Sequence, residues 1–229
     1  MEPVILEFDH VSGLAKKGFV LSDISFALPA GYIMGLAGKN GAGKTTLIDY
    51  IVNPKQRYNG VISIQGEEIH KDHAAIQNKI GFVSEKNNFL LEHSAAQNAK
   101  IFGMVYRHFD YERFHSAMRQ MELSETKIVG KMSRGEQMRF QMAFAIAHHP
   151  AVYLLDEATA GMDPVFRIDF FRILQKVIEQ EEASVLMTSH IAEEIEQKMD
   201  FTGILTDGHL SSFQENGAHN TTQYFSNTY

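Results

Sequence analysis

The sequence of 229 residues contains no cysteine and no tryptophan. Without cysteine there is no disulfide and no thiolate metal site, which fits a reducing compartment such as the cytosol. No apolar run approaches the roughly 20 residues that cross a bilayer, so any membrane role requires a partner chain. The net charge is −7, whereas a nucleic-acid binder usually presents a basic face. The composition therefore argues against nucleic acid as a partner.

Apolar residues make up 44% of the chain, which is enough for a substantial core. Strand patterns alternate with helix patterns, and this order predicts an α/β fold with a mainly parallel sheet. Two of the predicted strands, 151–157 and 184–190, are continuous apolar runs of the kind that is buried on both faces. The other predicted strands are 4–8, 24–28, 60–69, 79–85 and a hairpin at 203–213; the predicted helices are 44–52, 163–180 and 191–199.

A helical pattern from about Leu90 to Met121 predicts a small helical insert. Farther along, His148 and His149 stand at the end of a predicted helix, and we expect both at the surface. Two sets of residues in the insert are spaced like helix faces: Ile101, Met104, Val105 and Phe109, and then Phe114, Ala117, Met118 and Met121.

The segment "GKNGAGKTT" (residues 38–46, the phosphate loop) follows an apolar strand and precedes an apolar helix. Glycines let main-chain N–H groups turn inward around an anion, next to the positive end of the following helix. The lysine adds charge for the β- and γ-phosphates, and the threonine offers a hydroxyl to Mg²⁺. The alternative is an ordinary glycine-rich turn. The expected contacts with a nucleoside triphosphate are Gly38, Lys39, Asn40, Gly41, Ala42, Gly43, Lys44, Thr45 and Thr46.

Two acids, Asp156 and Glu157, end the apolar strand 151–157. Ligands bind at the carboxyl edge of parallel sheets, so we expect Asp156 to serve Mg²⁺ and Glu157 to accept a proton from an attacking water. The alternative is a surface acid pair. His190 ends the next buried strand and could hydrogen-bond the γ-phosphate or the attacking water; alternatively, it caps the helix that follows.

The segment "MSRGEQ" (residues 132–137, the signature segment) has two interpretations that are compatible with each other. Ser133 and Glu136 have the spacing of a capping box. Gly135 is not explained by a cap, and with Ser133 it could contact a phosphate at a second anion-binding helix start.

Together these segments resemble the nucleotide-binding subunit of an ATP-binding cassette (ABC) transporter, over about residues 4–210. "GKNGAGKTT" resembles the Walker A motif and "VYLLDE" resembles Walker B, with Glu157 at the catalytic glutamate position. "MSRGEQ" stands at the signature position, "AGMD" resembles the D-loop, and His190 resembles the switch histidine. The resemblance implies a P-loop NTPase core with an antiparallel β subdomain and a helical subdomain.

Three positions depart from the family pattern. Glu85 stands where the family usually has a glutamine; an acid there can still reach Mg²⁺ or water. Arg134 replaces a glycine of the signature. The aromatic residue that usually stacks on adenine should fall near Ala15, and the nearest candidate is Phe19.

The resemblance implies a catalytic core with its β subdomain over 1–84 and 132–229, and a helical subdomain over 85–131. It also implies that two ATPase subunits, identical or homologous, pair head to tail around two Mg-ATP. Ser133 and Gly135 of one subunit then contact the ATP that the other holds. We expect an integral-membrane permease as the partner and export as the direction of transport. The expected location is the cytoplasmic face of the cell membrane. The competing hypotheses are a soluble ABC ATPase acting on DNA or ribosomes and an inactive regulatory cassette.

Overall fold

The computed structural model describes residues 2–14, 20–159, 162–189 and 198–216. It contains two sheets with helices packed against them, and the predicted α/β class is confirmed. The strands of the described residues are β1 (Val4–Gly13), β2 (Ile24–Pro29), β3 (Ile33–Ala37), β4 (Tyr58–Ile64), β5 (Glu67–Glu68), β6 (Ile80–Ser84), β7 (Val152–Asp156), β8 (Ser184–Ser189), β9 (Phe201–Thr206) and β10 (His209–Glu215).

The larger sheet has the strand order β10-β9-β3-β8-β7-β6. Its neighbouring strands pair in parallel at β9–β3, β3–β8, β8–β7 and β7–β6. Among the described strands of this sheet, only the β9–β10 pair is antiparallel, and its turn at Asp207 and Gly208 has positive φ at both residues, as a tight hairpin requires. β7 and β8 are buried along almost their whole length, as their continuous apolar sequences predicted. The carboxyl ends of β3, β6, β7 and β8 therefore meet at one edge.

The smaller sheet is antiparallel, with the order β2-β1-β4-β5. The prediction of one strand over 60–69 was wrong in its extent. Gln65 and Gly66 both have positive φ, and they turn the chain back so that Ile64 pairs with Glu67. Stacked rings of Phe8 and Phe26, with centroids 4.7 Å apart, lie in the core of this sheet.

The helices of the described residues are α1 (Lys44–Val52), α2 (His73–Gln77), α3 (Ala95–Gly103), α4 (Tyr111–Gln120), α5 (Arg134–Ile146) and α6 (Pro164–Glu181), with a 3-10 turn at Val129–Lys131. All of them except α2, which was not predicted, follow the predicted order. Most of the predicted helix 191–199 lies outside the described residues. None of these helices is long and apolar enough to cross a membrane.

The insert consists of two helices, and only one of its two predicted faces is correct. Phe114, Ala117, Met118 and Met121 are buried at α4 as predicted. The other predicted face fails because α3 ends at Gly103. Met104 and Val105 lie beyond it, with about three quarters of each residue exposed, at 75% and 74%.

The expectation that His148 lies at the surface was wrong, since it is only 4% exposed. Its Nε2 lies 2.9 Å from the carbonyl oxygen of Ile80, and its ring stacks on Tyr106 at 4.0 Å between centroids. A protein carbonyl thus replaces water as the partner of the imidazole. His149 is exposed, as expected.

Candidate functional site

The phosphate loop leaves β3 in the middle of the parallel sheet and leads directly into α1. Gly41 and Gly43 have φ of 83° and 111°, which other residues rarely adopt. Gly38 has no room for a side chain, because a Cβ there would lie 2.6 Å from the carbonyl oxygen of Leu205. Gly43 is the N-cap of α1 and gives the helix no side-chain cap. The first N–H groups of α1 are therefore suited to an anion.

Lys44 is folded into the phosphate loop and is only 5% exposed. Its ammonium donates to the carbonyl oxygens of Gly38, at 2.6 Å, and Lys39, at 3.2 Å. These carbonyls stabilise a nearly buried positive charge, as such a charge requires. The ammonium is thus held inside the loop that the sequence assigned to phosphate.

Asp156 and Glu157 are held by a residue that sequence reasoning missed, Thr188. β7 and β8 pair so that Asp156 lies beside Thr188. The Thr188 hydroxyl donates to Oδ1 of Asp156 at 2.8 Å and accepts from the backbone N–H of Glu157 at 3.0 Å. The signal in the sequence was a threonine two positions before His190 in a buried strand, but only the strand register brings it to the acids.

Thr45 approaches the same carboxylate from α1. Its hydroxyl donates to Oδ1 of Asp156 at 3.3 Å. A cavity of about 800 Å³ opens here, and Thr45, Glu85, Asp156 and Glu157 all line it. The structure therefore brings three predicted metal ligands and the predicted base to one space.

The oxygen atoms of Thr45 and Asp156 are of the type that Mg²⁺ prefers. Among the residues that the structure describes, no group of three or more His, Cys, Asp or Glu forms a self-contained metal site. In proteins, Mg²⁺ commonly takes one or two protein ligands and completes its shell with substrate phosphates and water. Glu85 lies at the same cavity, but its carboxylate is 2.8 Å from the Arg134 guanidinium.

The signature segment forms the predicted capping box. Ser133 is the N-cap of α5; its Oγ accepts from the N–H of Glu136, whose carboxylate accepts in return from the N–H of Ser133. Lys127 donates to both oxygens of Glu136, at 2.7 and 2.8 Å, and this contact is the main reason why the pKa of Glu136 is lowered. The Ser133 hydroxyl proton is not used by the cap, so it remains available to a ligand.

Ser133 and Gly135 do not line the cavity at Asp156 and Glu157, although both belong to the described residues. Ser133 is exposed and Gly135 is half-buried. His190 and Phe19, the predicted switch histidine and the adenine candidate, lie outside the described residues.

Comparison with known proteins supports the resemblance. The family model described as "ABC transporter" matches residues 21–160. The ABC transporter ATP-binding protein YtrB of Bacillus subtilis (strain 168) is 31% identical over 211 residues, covering 92% of this chain and 72% of YtrB. The bacitracin transport ATP-binding protein BcrA of Bacillus licheniformis is 34% identical over 184 residues, covering 79% of this chain and 60% of BcrA.

A solved structure shares the fold over nearly the same length. It is the ATP-binding cassette MJ0796, described as a dimer in a post-hydrolysis state bound to ADP and Pi. It superposes with a TM-score of 0.82 at 20% identity, covering 93% of this chain and all (100%) of the other.

Proposed function

This chain belongs to the ABC transporter family as an ATP-binding ATPase subunit, and from this premise we propose that it hydrolyses Mg-ATP in a head-to-tail dimer to drive export through a separate membrane permease. The observation that carries the catalytic part is the arrangement of Thr45, Asp156, Glu157 and Thr188 at one edge of the sheet.

The phosphate loop binds the triphosphate through its backbone N–H groups and Lys44. Lys44 leaves the carbonyls of Gly38 and Lys39 and turns toward the β- and γ-phosphates, because a phosphate dianion attracts the ammonium more strongly than neutral carbonyls do. Its near burial increases this attraction, since the effective dielectric constant inside the loop is below that of water.

Thr45 and Asp156 would hold Mg²⁺ against the phosphates. The ion, when bound, neutralises charge that develops on the phosphate oxygens. Thr188 orients Asp156 for this role, since its hydroxyl fixes one carboxylate oxygen. Glu85, at the same cavity, is a further candidate ligand, directly or through water.

Glu157 is the proposed general base for the attacking water. Its backbone N–H is fixed by Thr188, so the carboxylate starts from an anchored position at the rim of the cavity. A carboxylate within reach of the water can accept its proton as the bond to phosphorus forms. We assign His190 the role of γ-phosphate contact, on the resemblance alone.

The dimer is proposed from the separation of the two anion-binding segments. Ser133 and Gly135 are absent from the cavity lined by Asp156 and Glu157, yet Ser133 offers a free hydroxyl proton at a helix start. The similarity to MJ0796, described as a dimer, supports pairing in which Ser133 and Gly135 contact ATP held by a second copy or a homologous subunit.

Export, the permease partner and the cytoplasmic membrane face are proposed from the relatives. BcrA is named as a bacitracin transport protein, and a protein at 30% identity from Rhizobium leguminosarum is named for Nod factor export. We also propose 85–131 as the helical subdomain, between a core of 1–84 and 132–229. The exposed Met104 and Val105 would then lie on the surface of that subdomain.

The test of the catalytic proposal is Glu157→Gln. The amide keeps the size of the carboxylate but cannot accept the proton, so ATP binding should persist while turnover falls by about 100-fold or more. An ATP-dependent dimer should accumulate and be visible by size-exclusion chromatography. Turnover at the wild-type rate would exclude Glu157 as the base.

A further inference from the structure

Helix α5 is joined to the end of β6 by polar contacts on one helix face. The buried amide of Gln141 pairs with both backbone groups of Ser84, accepting from its N–H at 3.0 Å and donating to its carbonyl at 2.9 Å. One helical turn toward the N-terminus, Gln137 accepts from the side-chain amide of Asn87 at 3.0 Å. The chain just beyond β6 is thus held against α5.

The outermost contact of this series is an ion pair between Glu85 and Arg134. Nη2 of Arg134 lies 2.8 Å from Oε2 of Glu85, and the two side chains are 46% and 53% exposed. Arg134 is three positions before Gln137, so it belongs to the same face of α5. These are the two charged departures from the family pattern, a glutamate for a glutamine and an arginine for a glycine, and they neutralise each other.

The ion pair joins the two segments that contact ATP in the proposed function, one at the chain's own ATP and one at the ATP of the second copy. Glu85 lines the cavity with Thr45, Asp156 and Glu157, which serve the chain's own ATP. Arg134 is the first residue of α5, directly after Ser133, which serves the ATP of the second copy. A guanidinium beside a phosphate-binding serine can form charge-assisted, bidentate bonds with phosphate.

We propose that Arg134 is a further contact for the γ-phosphate of the ATP held by the second copy, and that Glu85 restrains it until that phosphate arrives. This inference rests on the proposed head-to-tail dimer. The γ-phosphate competes with the carboxylate for one guanidinium, so the ion pair breaks when the dimer closes. Glu85 thereby raises the ATP concentration needed for closure, and Arg134 lowers it.

The size of the effect follows from the exposure of the pair. An exposed pair of this kind changes an equilibrium by about two- to fivefold. Two pairs break in each dimer, so removing the restraint should lower the dimer dissociation constant by about four- to twenty-five-fold. Salt screens exposed charges, so the effect should shrink as the KCl concentration rises.

The experiment measures the ATP-dependent dimer dissociation constant by analytical ultracentrifugation, with Glu157→Gln in every chain to prevent turnover. The variants are Glu85→Gln, Arg134→Gln and both together, with Arg134→Lys as the conservative replacement. Glu68→Gln is the matched control, because Glu68 forms a surface pair with Lys71 at the same 2.8 Å in the antiparallel sheet. A fluorescent ATP analogue measures nucleotide binding to each monomer separately.

Glu85→Gln should tighten the dimer, Arg134→Gln should weaken it, and the double variant should match Arg134→Gln alone. Arg134→Lys should recover part of the affinity, and Glu68→Gln should change nothing. The inference is overturned if Glu85→Gln weakens the dimer, or if its effect is the same with and without Arg134. If the Glu157→Gln parent itself forms no ATP-dependent dimer, the proposed function fails, and this inference fails with it.

Discussion

Glu157 combines a predicted role with a backbone conformation that the sequence did not indicate. Its φ of 53° is left-handed, which costs a residue other than glycine about 1–3 kcal/mol. The hydrogen bond from its N–H to Thr188 helps to hold that conformation. The acid pair at the strand end could be predicted from the sequence. The hydrogen bond to Thr188 could not be predicted, because it depends on which strand lies beside β7.

Thr188→Val tests this positioning at the residue scale. The substitution keeps the shape of the side chain but removes the hydroxyl that orients Asp156 and accepts from Glu157. Losing such an outer contact typically costs about 10- to 100-fold in activity or metal affinity. We therefore expect turnover to fall by that order, while Thr188→Ser, which keeps the hydroxyl, stays close to wild type. A steady-state ATPase assay on both variants is sufficient, and wild-type turnover in Thr188→Val would refute the role.

Lys44→Ala tests the phosphate loop at the same scale. The variant removes the ammonium that we propose for the β- and γ-phosphates. A hydrogen bond to a charged group contributes about 1.5–3 kcal/mol, so Mg-ATP affinity should fall by about 10- to 150-fold. Lys55→Ala, an exposed lysine just beyond α1, is the control and should bind normally. Nucleotide titration by calorimetry distinguishes the two, and unchanged affinity in Lys44→Ala would mean that the loop binds another ligand.

At the scale of elements, α5 connects the signature segment to the parallel sheet. Its N-terminal capping box was predicted, because Ser133 and Glu136 are close in sequence and the motif is local. The burial of His148 just beyond its C-terminus was not predicted. That burial depends on β6 and Tyr106, which are distant in the chain. The sequence therefore predicted the capping box, which forms between neighbouring residues, but it did not predict a contact between residues that are distant in the chain.

The buried His148 predicts a pH dependence of stability. Burial lowers its pKa from 6.5 to about 4, against the opposing effect of the carbonyls of Ile80 and Phe144. The unfolded chain therefore takes up this proton at a higher pH than the folded chain. The contribution of neutral His148 to the free energy of unfolding is therefore complete above about pH 6.5, and it is lost as the pH falls toward 4.

Urea unfolding at several pH values measures this effect. Between about pH 7 and pH 5, the wild type should lose about 2 kcal/mol more of its free energy of unfolding than His148→Gln, which cannot ionise. The two proteins share their other titrating groups, so the difference isolates the histidine. Parallel pH profiles would show that His148 is not held neutral in the folded chain.

At the scale of the whole molecule, the alternation of strands and helices predicted the parallel sheet, and the motifs predict that the nucleotide binds at its carboxyl edge. The strand order could not be predicted from the sequence, since it depends on pairings such as that of β3 with β8, which lie far apart in the chain. The turn at Gln65 and Gly66 was missed because the predicted strand was extended to Ile69 across the polar residues 65–68. The end of α3 at Gly103 was missed because apolar residues follow it.

In the proposed dimer, the phosphate loop of one copy lies against the signature segment of another. The absence of native cysteine makes this directly testable. Asn40, in the phosphate loop, and Ser133 are both exposed, so each can carry an introduced thiol. Two chains, Asn40→Cys and Ser133→Cys, are prepared with tags of different size, both in the Glu157→Gln background.

The decisive measurement is oxidation of the mixed chains, followed by non-reducing electrophoresis. A disulfide requires Cα atoms within about 7 Å, so a covalent species reports direct contact. We predict a covalent heterodimer that forms quickly with Mg-ATP and poorly with ADP, while either chain alone gives little dimer. The account would be contradicted if the mixture gave no heterodimer with Mg-ATP, while a chain carrying both cysteines closed an internal disulfide as a monomer.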